Sequence, residues 1–198
     1  MTPRSVGLAL LLFAVAALPL QAKQRQVSFK GRHVFEQHTG LTALPDEAQE
    51  HLFLSSATHK FWLVLPYSEN WILTSSKKDP LQAQDDRYTV SIRIEDRLQG
   101  SDEEFLRGLL AELAEARDRP AYDATFFEVQ KRSVMRVKSK GTDPERPWSW
   151  TFLTVAPRKN LWYLLELTLD GGKELDAETE QRLLDICGVG FGADFDVN

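Results

Sequence analysis

The chain predicts an α+β fold, a mostly antiparallel sheet covered by two main helices in an α-β-α sandwich. Three observations lead there. Apolar residues alternate with polar ones in many short segments, most cleanly in "YTVSIRIEDR" (88–97) and "LWYLLELTL" (161–169). Turn-rich links such as "PRKN" (157–160) join neighbouring segments, and strands joined by short turns pair antiparallel. Only two later segments, near 101–119 and 176–187, carry the apolar spacing of a helix, and such helices must lie on a sheet face.

The first residues, "MTPRSVGLALLLFAVAALPLQA", hold one charge, Arg4, and then an apolar run from Val6 to Leu20 broken only by Pro19. A basic start, an apolar run too short to span a bilayer and a small residue before polar "KQRQ" describe a secretory signal peptide over 1–22, cut after Ala22. No cysteine lies near the cut, so lipid attachment is not available there. Removal of Arg4 moves the net charge from −5 to −6. An acidic chain has no field to attract nucleic acid or anionic lipid. The expectation is a protein that does not span the membrane after cleavage, placed in the periplasm or secreted.

Residues 23–58 read as an N-terminal extension or hairpin. "QVSFKGRHVFEQH" suggests one or two short strands around Gly31, and "HLFLSS" suggests a strand that makes a hairpin with Phe61–Leu65. Residues 59–198 read as the main α+β domain. "KFWLVLP" is apolar on both faces, as in a strand covered on both sides. "WILTSS" follows a turn, and "KKDPLQAQDD" reads as a polar loop. In the first helix Ser101 and Glu104 form a capping-box pair. Phe105, Leu106, Leu109, Leu110 and Leu113 make its apolar stripe, and Pro120 stops it. Four more strands follow: "ATFFEVQ", "RSVMRVKS", "WSWTFLTVA" and "LWYLLELTL". Asp176 is the expected N-cap of the second helix, Gly188 its end, and "GVGFGADFDVN" adds a short strand.

This series resembles the PsbP-like family, which includes DcrB-type proteins of the bacterial envelope. The residues that carry the resemblance are Phe61–Pro66, Trp71, Tyr88–Ile94, Phe105–Leu113, Trp162–Leu167 and the helix to Cys187, covering most of 59–190. The resemblance implies a PsbP-like sandwich and an accessory or interaction role rather than an enzyme. It carries no catalytic motif to transfer. The absence of a cysteine to lipidate departs from DcrB-type lipoproteins.

Motifs for catalysis are missing from the sequence: no GxSxG, HExxH or P-loop is present, and "GVGFG" follows a helix instead of a strand. Cys187 is the only cysteine, and it shares a helix face with Leu183 as a buried thiol would. The four histidines, His33, His38, His51 and His59, fall within 27 residues. His33, Glu36 and His38 are candidate metal ligands, since imidazole and carboxylate suit zinc or copper. The competing and preferred reading is a set of exposed or hydrogen-bonded histidines, with no cofactor. Tyr67, Trp71 and Trp148 sit beside turns and are the candidate binding surface for a protein or envelope component. The function expected is a non-catalytic accessory or binding module. The alternatives are a small metal-dependent envelope hydrolase and a carrier of a small apolar ligand.

Overall fold

A computed structural model describes residues 25–97, 100–117, 123–141 and 143–193, without the side chains of 25 and 112–117. The signal-peptide reading of 1–22 and the stop at Pro120 lie outside these residues. The elements run β1 (Arg25–Ser28), β2 (Val34–Glu36), β3 (Leu41–Asp46), β4 (His51–Ser56), β5 (Phe61–Pro66), β6 (Ile72–Ser75), β7 (Leu81–Gln84), β8 (Tyr88–Asp96) and α1 (Asp102–Arg117). They continue β9 (Asp123–Val129), β10 (Arg132–Lys140), β11 (Trp148–Arg158), β12 (Leu161–Gly171), α2 (Ala177–Gly188) and β13 (Phe191–Gly192).

All strand pairs in these residues are antiparallel, and they build two sheets. The large one has the order β1-β6-β7-β8-β12-β11-β10-β9, the small one β13-β5-β4-β3-β2. The mostly antiparallel α+β class is therefore observed with two helices, but the covering differs from expectation. One face of the large sheet meets α1, through Leu106 against Met135, Val137, Leu153, Val155, Trp162 and Leu164. The other face meets the small sheet, with α2 beside it against β9, β10 and β11. A second sheet thus does work that the sequence reading assigned to a helix.

The second sheet comes from residues that read poorly. β2 and β4 stand where strands were expected, and β4 pairs with β5 as the expected hairpin. β3 was not foreseen. β7 occupies the expected polar loop, burying Leu81 and Ala83 and exposing Gln82 and Gln84. The residues before 59 and those after share one core, in which Phe29, Leu41, Leu52 and Leu54 pack with Phe61, Leu63 and Leu65.

Both helix starts are built as read. Glu104 N–H donates to Ser101 Oγ at 3.2 Å, and Ser101 N–H donates to Glu104 Oε2 at 2.8 Å. Two orphan donors are satisfied reciprocally. Asp176 accepts from Thr179 N–H at 2.8 Å. At the other end of α2, Arg132 of β10 donates from one guanidinium nitrogen to Cys187 O at 3.1 Å and Phe191 O at 2.6 Å. That contact ties α2, β10 and β13 together. The two sheets are pinned at His59, which is buried in the β4–β5 turn. Its backbone oxygen accepts from Tyr163 OH at 2.7 Å, and its ring Nε2 lies 2.7 Å from Ser76 O.

Candidate functional site

The three aromatic candidates are not brought into one surface. Trp71 is 0% exposed. It stacks on Tyr88 with ring centres 6.2 Å apart, and its Nε1 donates to Pro66 O at 3.1 Å. The expected place on a binding surface is corrected for Trp71: the turn after β5 folds it inward, into the core between the sheets. Tyr67 is half-buried at the end of β5, where its hydroxyl donates to Glu47 Oε1 at 3.3 Å. Burial, and then the carboxylates of Glu47 and Glu69, hold its phenol above the ordinary value, so it stays a donor. Trp148 is half-buried at the start of β11, with Lys138 Nζ 4.7 Å from its ring centre and 4.6 Å from that of Trp150.

The metal candidates also separate. His33 and His38 are exposed, while Glu36 turns inward and is 5% exposed. Glu36 Oε2 accepts from Thr39 N–H and Thr39 Oγ1, both at 2.8 Å, so the carboxylate closes the β2–β3 turn. Among the described residues no three His, Cys, Asp or Glu side chains converge as ligands. Cys187 is fully buried, and burial pushes its thiol up to about 12 against the pull of Arg132. A thiol protonated at neutral pH is no nucleophile.

The Glu36 turn gives a first expected result. Burial alone would raise this carboxyl, but the Thr39 hydrogen bonds and the nearby His38 hold it below its ordinary 4.5. A lowered native value means stability that is present above 4.5 and is lost as pH falls through the native value. Glu36→Gln is expected to remove this part of the acid dependence. Denaturant midpoints of both proteins between neutral pH and pH about 3 check it, and they should converge at the acid end.

The contrast between the two outer sheet faces is what singles out a surface. Beyond α1, the outer half of the large sheet carries Gln26, Ile72, Thr74, Gln82, Gln84, Thr89, Ser91 and Arg93, a set that is polar but for Ile72. The outer face of the small sheet is different. Register places Leu44, Phe53 and Val64 in one row across β3, β4 and β5. The next row runs Phe35, Thr42, Ser55, Trp62 and Gly192 across all five strands. Phe35 is 61% exposed and Leu44 43%, and Val189, just past α2, is 44% exposed. Phe53, Trp62 and Val64 are half-buried. The expectation that "FWLVLP" is covered on both sides is thus half right. Phe61, Leu63 and Leu65 are core, and Trp62 and Val64, both half-buried, belong to the outer face.

A groove of about 790 Å³ runs along the α2 margin of this face, lined by apolar Val64, Ile186 and Val189 and by polar Glu50, His51, Glu178, Arg182 and Asp185. Sequence reasoning missed the face because its residues come from separate strands. The available signal was the apolar character of both parities in Phe61–Leu65, together with Phe35 and Phe53. A second groove, about 440 Å³, lies between α1 and β8–β12, over Phe105, Leu109 and Trp162.

No family model matches the chain, and no curated protein matches it significantly. Among solved structures it is similar to the solution structure of cyanobacterial PsbP (CyanoP) from Synechocystis sp. PCC 6803, with 13% identity, a TM-score of 0.45, and coverage of 78% of this chain and 92% of that one.

Proposed function

We propose that this protein is an exported, periplasmic, non-catalytic accessory module that docks a protein or envelope component through the outer face of its small sheet. One observation carries the reading: the three exposed large apolar residues of the described chain, Phe35, Leu44 and Val189, lie on or beside a single sheet face. Contiguous exposed apolar surface of this kind marks an interaction site. The signal-like residues 1–22 support export, and the resemblance of 59–190 to PsbP-like and DcrB-type sequences supports an accessory role. The test is cross-linking of the tagged protein in intact cells, with partners read by mass spectrometry. Phe35→Ser combined with Leu44→Ser should abolish the cross-link and leave the folded stability within about 0.5 kcal/mol, as exposed positions do. An unchanged cross-link with this variant would rule the face out.

A carrier of a small apolar ligand is the second reading, favoured by the groove over Phe105, Leu109 and Trp162. Native mass spectrometry of the purified protein would reveal a retained hydrophobic adduct.

A further inference from the structure

We infer that the groove along α2 binds a long aliphatic diamine, a methylene chain with an ammonium group at each end. The site lies at the margin of the docking face and stands whether or not that face is used.

The groove has the size and the apolar floor of a small-molecule site. Its volume is about 790 Å³, and Val64, Ile186 and Val189 form an apolar strip within it. One wall is α2. Glu178 lies in the first turn of that helix and Asp185 in the last, with Gln181 and Arg182 between them. Spacings of three and four keep these four residues on one helix face, and all four are exposed. Seven residues of helix set the two acidic positions about 10 Å apart along the axis.

Glu178 has a structural use where it stands, and Asp185 does not. An acid in the first turn suits the helix dipole, and an acid in the last turn opposes it. Arg132 answers this end of α2 from β10, donating to Cys187 O at 3.1 Å, but the last turn itself holds no basic residue. Gln181 Nε2 donates to Asp185 Oδ1 at 2.9 Å and holds the carboxylate in line. A charge that works against its own helix and faces a groove points to a ligand.

The charge count asks for a cation. Glu50, Glu178 and Asp185 line the groove against Arg182 and His51. Arg182 donates to Glu50 O at 3.1 Å, with the Glu50 carboxylate 4.0 Å away, so these two answer each other. Even a charged His51 would leave one carboxylate in excess. Past the Glu50 end, Glu47 and Glu69 act on Tyr67, while Lys30 and Arg32 flank Gly31 beside the same ring, so that neighbourhood is balanced. A diamine places one ammonium on each of Glu178 and Asp185 and lays its methylenes over the apolar strip. Aliphatic amines stay protonated at neutral pH. Arg182 stands between the two acids, so a further charge in the middle of the ligand is repelled.

Calorimetric titration of protein purified from cells expressing the full chain tests this. The probes are the terminal diamines of octane and butane, octylamine and spermidine. Octane diamine is expected to bind one to one, and more weakly as salt is added. Octylamine and butane diamine should each bind about tenfold more weakly, since each loses one charged contact. Spermidine has the length of octane diamine with an ammonium in its middle, and it should also bind about tenfold more weakly. Arg182→Gln should remove that preference. Glu178→Gln and Asp185→Asn should each cut the affinity for octane diamine about tenfold, with unchanged circular dichroism spectra. Phe35→Ser with Leu44→Ser should bind it as the wild type does. Octane diamine that does not bind the wild type, binds no better than octylamine, or binds regardless of Glu178 and Asp185 overturns the inference.

Discussion

Trp71→Ala is expected to destabilise the protein by about 3–5 kcal/mol, the range for deleting a fully buried aromatic side chain. The indole is 0% exposed, stacks on Tyr88, and donates to Pro66 O. Its backbone oxygen also accepts from Phe29 N–H at 2.9 Å, so a shift here loosens the chain before β2. Trp71→Phe should keep much of the packing and lose about 1 kcal/mol for the hydrogen bond in addition to the smaller ring. Denaturant unfolding followed by circular dichroism measures both. A cost for alanine under about 1 kcal/mol would contradict the buried position. Any binding lost in Trp71→Ala reports partial unfolding, so this residue is unsuited to mapping a surface.

Gly188→Val is expected to be the other severe change, for a reason opposite to a cavity. A Cβ built on Gly188 would stand 2.3 Å from Val129 Cγ1 and 2.8 Å from Val129 Cβ. The chain has no glycine-specific φ here, so the constraint is contact between α2 and β9. Even Gly188→Ala should cost about 1–3 kcal/mol by overpacking, although helix propensity alone would favour alanine by up to about 1 kcal/mol. The sign of that change separates the two effects. Val129→Ala combined with Gly188→Ala should recover part of the loss, a coupling that a double-mutant cycle reads directly. Valine at 188, with two more carbons aimed at β9, should cost more than alanine.

What the sequence made legible is local. The Ser101–Glu104 box, the Asp176 cap and the alternation of Tyr88–Ile94 are each written within a few residues, and each is built as read. β3 was hidden by Pro45, which normally ends a strand. It is tolerated because β2 pairs only Leu41 to Ala43, leaving Pro45 on an edge with no ladder partner for its nitrogen. β7 was hidden by its length, four residues between Pro80 and Asp85. Glu36 could not be told from a ligand because the inward parity of β2 depends on its pairing with β3. The outer face of the small sheet needed more still. Phe35, Leu44, Phe53 and Trp62 lie on four strands, and only the register between them makes one surface.

The order of the strands also sets when the chain can finish folding. β12, in the middle of the large sheet, joins β8 across α1 and three intervening strands, with Leu167 opposite Val90. The small sheet closes only when Phe191 reaches Leu63. Contacts this far apart in sequence give a high contact order, and such topologies fold slowly. A chain still emerging from the ribosome can make the early hairpins but cannot complete either layer of the core. Under the export proposed above, that delay would help the chain to cross the membrane before it folds.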